Sequence, residues 1–159
     1  MKPNLRFLLS DPTHFVALGF GSGLFPKGPG TAGTLLGWIL FPLVYATLSD
    51  TLFGALLVAC FLFGIIACQR TGRALGVADH GAVVWDEIVA IWLVLWFTPA
   101  TLAWQATAFV VFRFFDIVKP PPIGWVDERT SGGFGVMLDD LLAAGYTLVV
   151  LAILMRLTA

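Results

Sequence analysis

The chain has 159 residues, 58% of them hydrophobic and 12% charged, with a mean hydropathy of +0.91. Soluble domains carry about 25% charged residues, so this chain has too few to cover a water-facing surface. The length accommodates one integral membrane domain over 1–159. A net charge of −1 without any basic run gives no footing for nucleic acid.

In chain order, residues 1–14 are short and polar. Lys2 and Arg6 are followed by only Phe7, Leu8 and Leu9 before Ser10-Asp11-Pro12, so no signal peptide is expected. Phe15 to Phe25 is apolar but interrupted by glycines and too brief to cross a membrane. A first helix is predicted from Pro29-Gly30-Thr31 to about Leu48. Ser49-Asp50 forms a tight turn, with Asp50 or Ser49 capping a second helix from about Thr51 to Leu75. Cys60 and Cys68 lie within that helix, without metal-ligand spacing, and read as buried, reduced packing residues. The charge-free interval Ile88 to Phe112 reads as a hairpin of two short helices, the third and fourth, turning at Thr98-Pro99; the alternative is one kinked helix. Lys119-Pro120-Pro121-Pro122 ends the fourth helix. A Gly132-Gly133-Phe134-Gly135 loop precedes a fifth, roughly Met137 to Leu157. The expected fold is all-α: a polytopic membrane helical bundle of about five membrane helices. Alternating strands of a transmembrane barrel are absent from the pattern.

With five spans, eight of nine Lys/Arg fall on the N-terminal side, all except Arg156, which places that side in the cytoplasm. The acids divide the same way, with Asp50 the exception, although acids do not set topology. Their clustering therefore needs a chemical cause. Asp86-Glu87, Asp116 and Asp139-Asp140 each sit at the cytoplasmic end of a predicted helix. The helix dipole accounts for acids at N-termini but disfavours Asp116 near a C-terminus. Carboxylates near low dielectric are costly unless paired or bound to a cation. Together Asp86, Glu87, Asp116, Asp139 and Asp140 read as a divalent-metal site, and an all-oxygen donor set suits Mg²⁺, Mn²⁺ or Ca²⁺ rather than zinc.

Glycines from Gly19 to Gly33 surround Ser22, Lys27 and Thr31, directly before the first helix. Backbone N–H groups, a lysine and hydroxyls at a helix N-terminus suit a phosphate. It is not a Walker loop, and glycines there equally permit close helix packing. Arg113, Asp116 and Lys119 recur every three residues along one helix face. They read either as a surface ion pair at a helix end or, for Arg113 and Lys119, as phosphate ligands, the planar guanidinium matching phosphate oxygens. His80, beside Asp79, reads as an ordinary loop residue or as an acid for a leaving group.

These blocks are together similar to one family. Gly21-Ser22-Gly23-Leu24 with Pro29-Gly30-Thr31-Ala32-Gly33-Thr34 resembles the first signature of the phosphatidylglycerophosphatase A family. Asp79-His80 with Val84-Trp85-Asp86-Glu87 matches its second block. Phe112-Arg113-Phe114-Phe115-Asp116-Ile117-Val118-Lys119-Pro120 matches its third. Gly133-Phe134-Gly135-Val136-Met137-Leu138-Asp139-Asp140, then Ala144-Gly145, matches its fourth. Thr34 stands where serine is more usual, keeping the hydroxyl. The resemblance implies a Mg²⁺-dependent lipid phosphatase of the bacterial inner membrane, multi-pass, with its active site on the cytoplasmic side. Its substrate would be phosphatidylglycerophosphate, cleaved to phosphatidylglycerol and inorganic phosphate.

In that reading the five acids hold Mg²⁺ and carry catalysis with His80. Ser22, Lys27, Thr31, Arg113 and Lys119 bind the substrate. Two rivals remain: a divalent-cation or proton transporter, and a non-catalytic assembly factor. A transporter should place ionisable groups on both halves of the pathway or near the midplane, and the far half holds only Asp50 and Arg156.

Overall fold

The computed structural model describes residues 2–158, apart from the side chain of residue 127. Among these residues every regular element is helical. The polar N-terminus folds into two short helices, α1 (Leu5–Leu8) and α2 (Pro12–Ala17). Asn4 caps the first by accepting the Phe7 N–H at 2.9 Å. Asp11 caps the second, accepting from the N–H and hydroxyl of Thr13 at 2.7 and 2.6 Å. Those two bonds hold the Asp11 carboxyl below its ordinary pKa. A 3-10 stretch (Gly19–Leu24) follows, kinked where Phe20 and Gly21 take positive φ.

Gly28, at φ 65°, turns the chain into α3 (Pro29–Tyr45), with Pro29 preset at the first helical position. Next, α4 (Asp50–Leu75) is capped by Ser49, which accepts the Leu52 N–H at 3.4 Å. Asp50 is thereby free for another task. It accepts from the Tyr45 hydroxyl at 2.6 Å and the Trp96 indole at 3.4 Å, joining three helix ends.

The hairpin reading holds: α5 (Trp85–Trp96) and α6 (Leu102–Val118) are separate helices. The N-cap of α6 is Thr101, three residues beyond Thr98 of the predicted Thr98-Pro99 turn. The Thr98 hydroxyl is already donated to the Val94 carbonyl at 2.7 Å, which commits it to the end of α5. The proline break ends α6 at Val118 as expected, and a short α7 (Ile123–Arg129) follows it. The predicted glycine loop is instead the first turn of α8 (Gly132–Thr158). Gln69 of α4 caps that turn, accepting the Gly133 N–H at 2.8 Å.

The 12-residue α5 lies at the centre, packed by α3, α4, α6 and α8. From Trp85 to Leu95 only Leu93 is not buried, the pattern of a helix apolar on all sides and enclosed by protein. Gly33 and Gly37 let α3 approach it closely. A Cβ at Gly37 would stand 2.7 Å from Ile91 Cγ2, and the Trp92 indole donates to the Gly37 carbonyl at 2.8 Å.

Among the described residues α4 and α8 are long and apolar enough to cross a membrane. At 1.5 Å per residue α5 reaches only about 18 Å, against a hydrocarbon core of about 30 Å. Helix length therefore does not carry the count of about five spans. Leu52, Val58, Leu62 and Ile66 of α4, Val149 and Ile153 of α8, and Leu35, Ile39 and Leu43 of α3 are exposed. Two long apolar helices with such outward faces fit a membrane protein.

Candidate active site

One end of the bundle gathers the start of α3, the start of α5, the end of α6 and the first turns of α8 around a cavity of about 290 Å³. Asp79, Asp86, Glu87, Asp116, Asp139 and Asp140 line it, with only Arg113 and Lys119 of opposite charge. Asp86 and Glu87 are in the first turn of α5 and both are buried. Because α8 begins before Met137, Asp139 and Asp140 lie about two turns inside it, deep against α5 rather than at its mouth.

The five acids singled out in the sequence fall into two sets. Asp86, Glu87 and Asp140 offer carboxylate oxygens that all lie within 4.8 Å of one another. Asp116 pairs with Arg113, and Asp139 pairs with Lys119. Arg113 also faces Glu87 Oε1 at 3.6 Å and donates to the Thr34 hydroxyl at 3.3 Å. That hydroxyl in turn donates to the Gly30 carbonyl at 2.9 Å. Gly30 leaves room for this arrangement: a Cβ there would press on Glu87 Oε1 and come within 3.1 Å of Arg113 Nη2. The close approach of α3 to α5 and α6 thus depends on the absent side chain.

The cluster fits a hard cation. Asp86 Oδ1, Glu87 Oε2 and Asp140 Oδ2 are buried without a hydrogen-bond partner. Unpartnered buried acceptors are costly, and three carboxylates in one buried corner repel strongly. An oxygen-ligated divalent ion would remove both costs, and an all-carboxylate donor set is of the kind that suits Mg²⁺. Arg113 Nε is likewise buried without an acceptor.

The other residues singled out lie further out. His80 is half-buried in the loop before α5; its Nδ1 accepts the Ala82 N–H at 3.2 Å, while its neighbours Asp79 and Gly81 line the cavity. Ser22, Lys27 and Thr31 line a separate hollow on α3, which meets the acidic cavity at Gly28. Ser22 donates to the Gly19 carbonyl at 2.8 Å. Two residues gain roles the sequence did not give them. Thr34 supports Arg113, and its place in the Pro29–Thr34 block was the available signal. Gln69 seats α8, and nothing local marks it. The transporter alternative finds no support, since the acids gather at one end and Asp50 at the other is engaged by Tyr45 and Trp96.

Comparison with known proteins gives a consistent result. The family model described as Phosphatidylglycerophosphatase A matches residues 15–155. A Haemophilus influenzae protein named Phosphatidylglycerophosphatase A is 46% identical over 151 residues, covering 94% of this chain and 92% of its own length. An Escherichia coli protein of the same name is 40% identical over 139 residues, covering 87% and 80%. A Bacteroides thetaiotaomicron protein, provisionally named a phosphatidylinositol-3-phosphatase, is 40% identical over 145 residues, covering 87% and 90%. No solved structure matches.

Proposed function

Since the chain belongs to the phosphatidylglycerophosphatase A family, we propose that it hydrolyses phosphatidylglycerophosphate to phosphatidylglycerol and inorganic phosphate, with Mg²⁺, at the cytoplasmic face of the bacterial inner membrane. One observation carries the reading. Carboxylate oxygens without a donor and an arginine N–H without an acceptor share the same cavity. A cation together with a phosphate meets both demands at once. A phosphate dianion alone would be repelled by six carboxylates.

Asp86, Glu87 and Asp140 are the residues that would hold Mg²⁺. When bound, Mg²⁺ supplies a Lewis acid that offsets charge on phosphate oxygens and makes water nucleophilic at neutral pH. Arg113, fixed through Nη1 by Asp116, Glu87 and Thr34, keeps its Nε–H for the phosphoryl oxygens, where charge grows in the transition state. Lys119, held by Asp139, adds a second cation. Water forms the new P–O bond and gives up one proton to solvent, the bond from phosphorus to the glycerol oxygen breaks, and that oxygen takes up a proton, leaving phosphatidylglycerol and inorganic phosphate. His80, between the cavity-lining Asp79 and Gly81, is the proton source in this scheme. The basic residues Lys27, Arg70, Arg73 and Arg129 at the same end support a cytoplasmic orientation.

The test is phosphate release from the purified protein in detergent, with phosphatidylglycerophosphate and phosphatidylinositol 3-phosphate as substrates, in Mg²⁺ and in chelator. Release from phosphatidylglycerophosphate that requires Mg²⁺ is expected. Equal rates in chelator would remove the metal from the scheme, and a clear preference for the inositol lipid would reassign the substrate.

A further inference from the structure

The hollow on the outer side of α3 has a volume of about 390 Å³ and changes character along its length. At the end nearest the acidic cavity it presents Ser22, Lys27 and Thr31; beyond them come only apolar side chains, including Leu35, Leu36 and Ile39. Lys27 is exposed and makes no ion pair among the described residues. Leu35 and Ile39 are also exposed. From Pro29 to Ile39 the helix rises about 15 Å, half the roughly 30 Å hydrocarbon core and so the depth of one leaflet. The polar end joins the acidic cavity at Gly28, which lines both.

We propose that this groove is a second substrate subsite, with Lys27 and the Thr31 hydroxyl holding the internal phosphodiester of a glycerophospholipid and the apolar length holding one of its acyl chains. The inference rests on the phosphatase reading and extends it. The acidic cavity would take the terminal monoester, and the groove would set the requirement for a lipid. Charge complementarity selects the occupant, since a diester anion suits an unpaired lysine at headgroup level. Continuity with the acidic cavity fixes the direction in which the lipid lies. A second apolar crevice, between α4, α5 and α8, reaches Asp86 and includes Leu62, but no cation lines it to hold a diester.

The experiment uses the full chain in phosphatidylcholine nanodiscs. A phosphatidylglycerophosphate bearing a photoactivatable acyl chain is crosslinked, and the labelled residues are mapped with and without excess unlabelled phosphatidylglycerophosphate. Competed labelling should concentrate on Leu35, Leu36 and Ile39. In parallel, Lys27→Ala and Leu35→Trp should raise KM for long-chain substrate about tenfold, the equivalent of re-exposing roughly two methylenes, with kcat little changed. Leu35→Trp should also abolish the advantage of long-chain over dihexanoyl substrate, whereas Leu62→Trp in the crevice should preserve it. Competed labels on the α4–α8 crevice, labelling that excess substrate does not compete, or an unchanged chain-length preference in Leu35→Trp would each overturn the proposal. Competed groove labelling without phosphate release would instead leave the subsite standing and defeat the phosphatase reading.

Discussion

Asp86, Glu87 and Asp140 bring like charge into one buried corner, so neutralising any of them relieves the others while removing a ligand. Asp86→Asn and Asp140→Asn should each lower Mg²⁺-dependent phosphate release by at least about a hundredfold. Thermal melts in detergent and chelator should show the variants no less stable than the parent; a large drop would make these acids structural instead. Thr34 allows a finer test, because its hydroxyl receives the Arg113 guanidinium. Thr34→Ala should cut turnover by about tenfold, one lost hydrogen bond to a charged group, and Thr34→Ser should restore it. The acids were legible in the sequence because charge is rare in this chain and their positions at helix ends stand out. Their division into a three-acid cluster and two ion pairs was legible only in part. The Arg113–Asp116 pair follows from its three-residue spacing on one helix, but the Lys119–Asp139 pair and the three-acid cluster form across helix contacts, which no spacing along the chain reports.

At the level of elements, the closeness of α3 to α5 sets the site, since it brings Gly30 and Thr34 over Glu87 and Arg113. Gly37→Leu would drive a side chain into Ile88 and Ile91, an overpacking cost of about 1–3 kcal/mol. The variant should melt earlier and lose activity together, whereas Leu43→Ala on the outward face should change neither. The α5–α6 hairpin could be read from the charge-free interval and its central proline. The start of α8 could not, because four residues rich in glycine read as a loop. They are helical because Gln69, 64 residues away in sequence, supplies the cap and because Gly133 lies against the Ile65 carbonyl. Single-sequence reasoning has no access to a partner that distant.

For the molecule as a whole, charge gathers at one end, with Asp50 and Arg156 at the other, and apolar surface girdles the rest. Since α8 is about 40 Å long, cysteines introduced at Thr130 and Thr158 should be labelled from opposite sides of intact cells. Labelling from one side would show that α8 does not cross. The enclosure of α5 has another consequence, for the order of biogenesis. A short helix led by two acids gains little from lipid, since each acid at membrane depth costs about 2.5–3.5 kcal/mol on insertion scales. The long α4 can insert on its own hydropathy, but α5 needs walls before it can enter, and α8 is the last wall to be synthesised. Chains ending before Gly132 should therefore hold α4 in the bilayer while leaving the α5–α6 hairpin open to protease from the cytoplasmic side, and extension through α8 should close it. Such a protein would be completed from outside inward, its middle helix seated only after its final one has arrived.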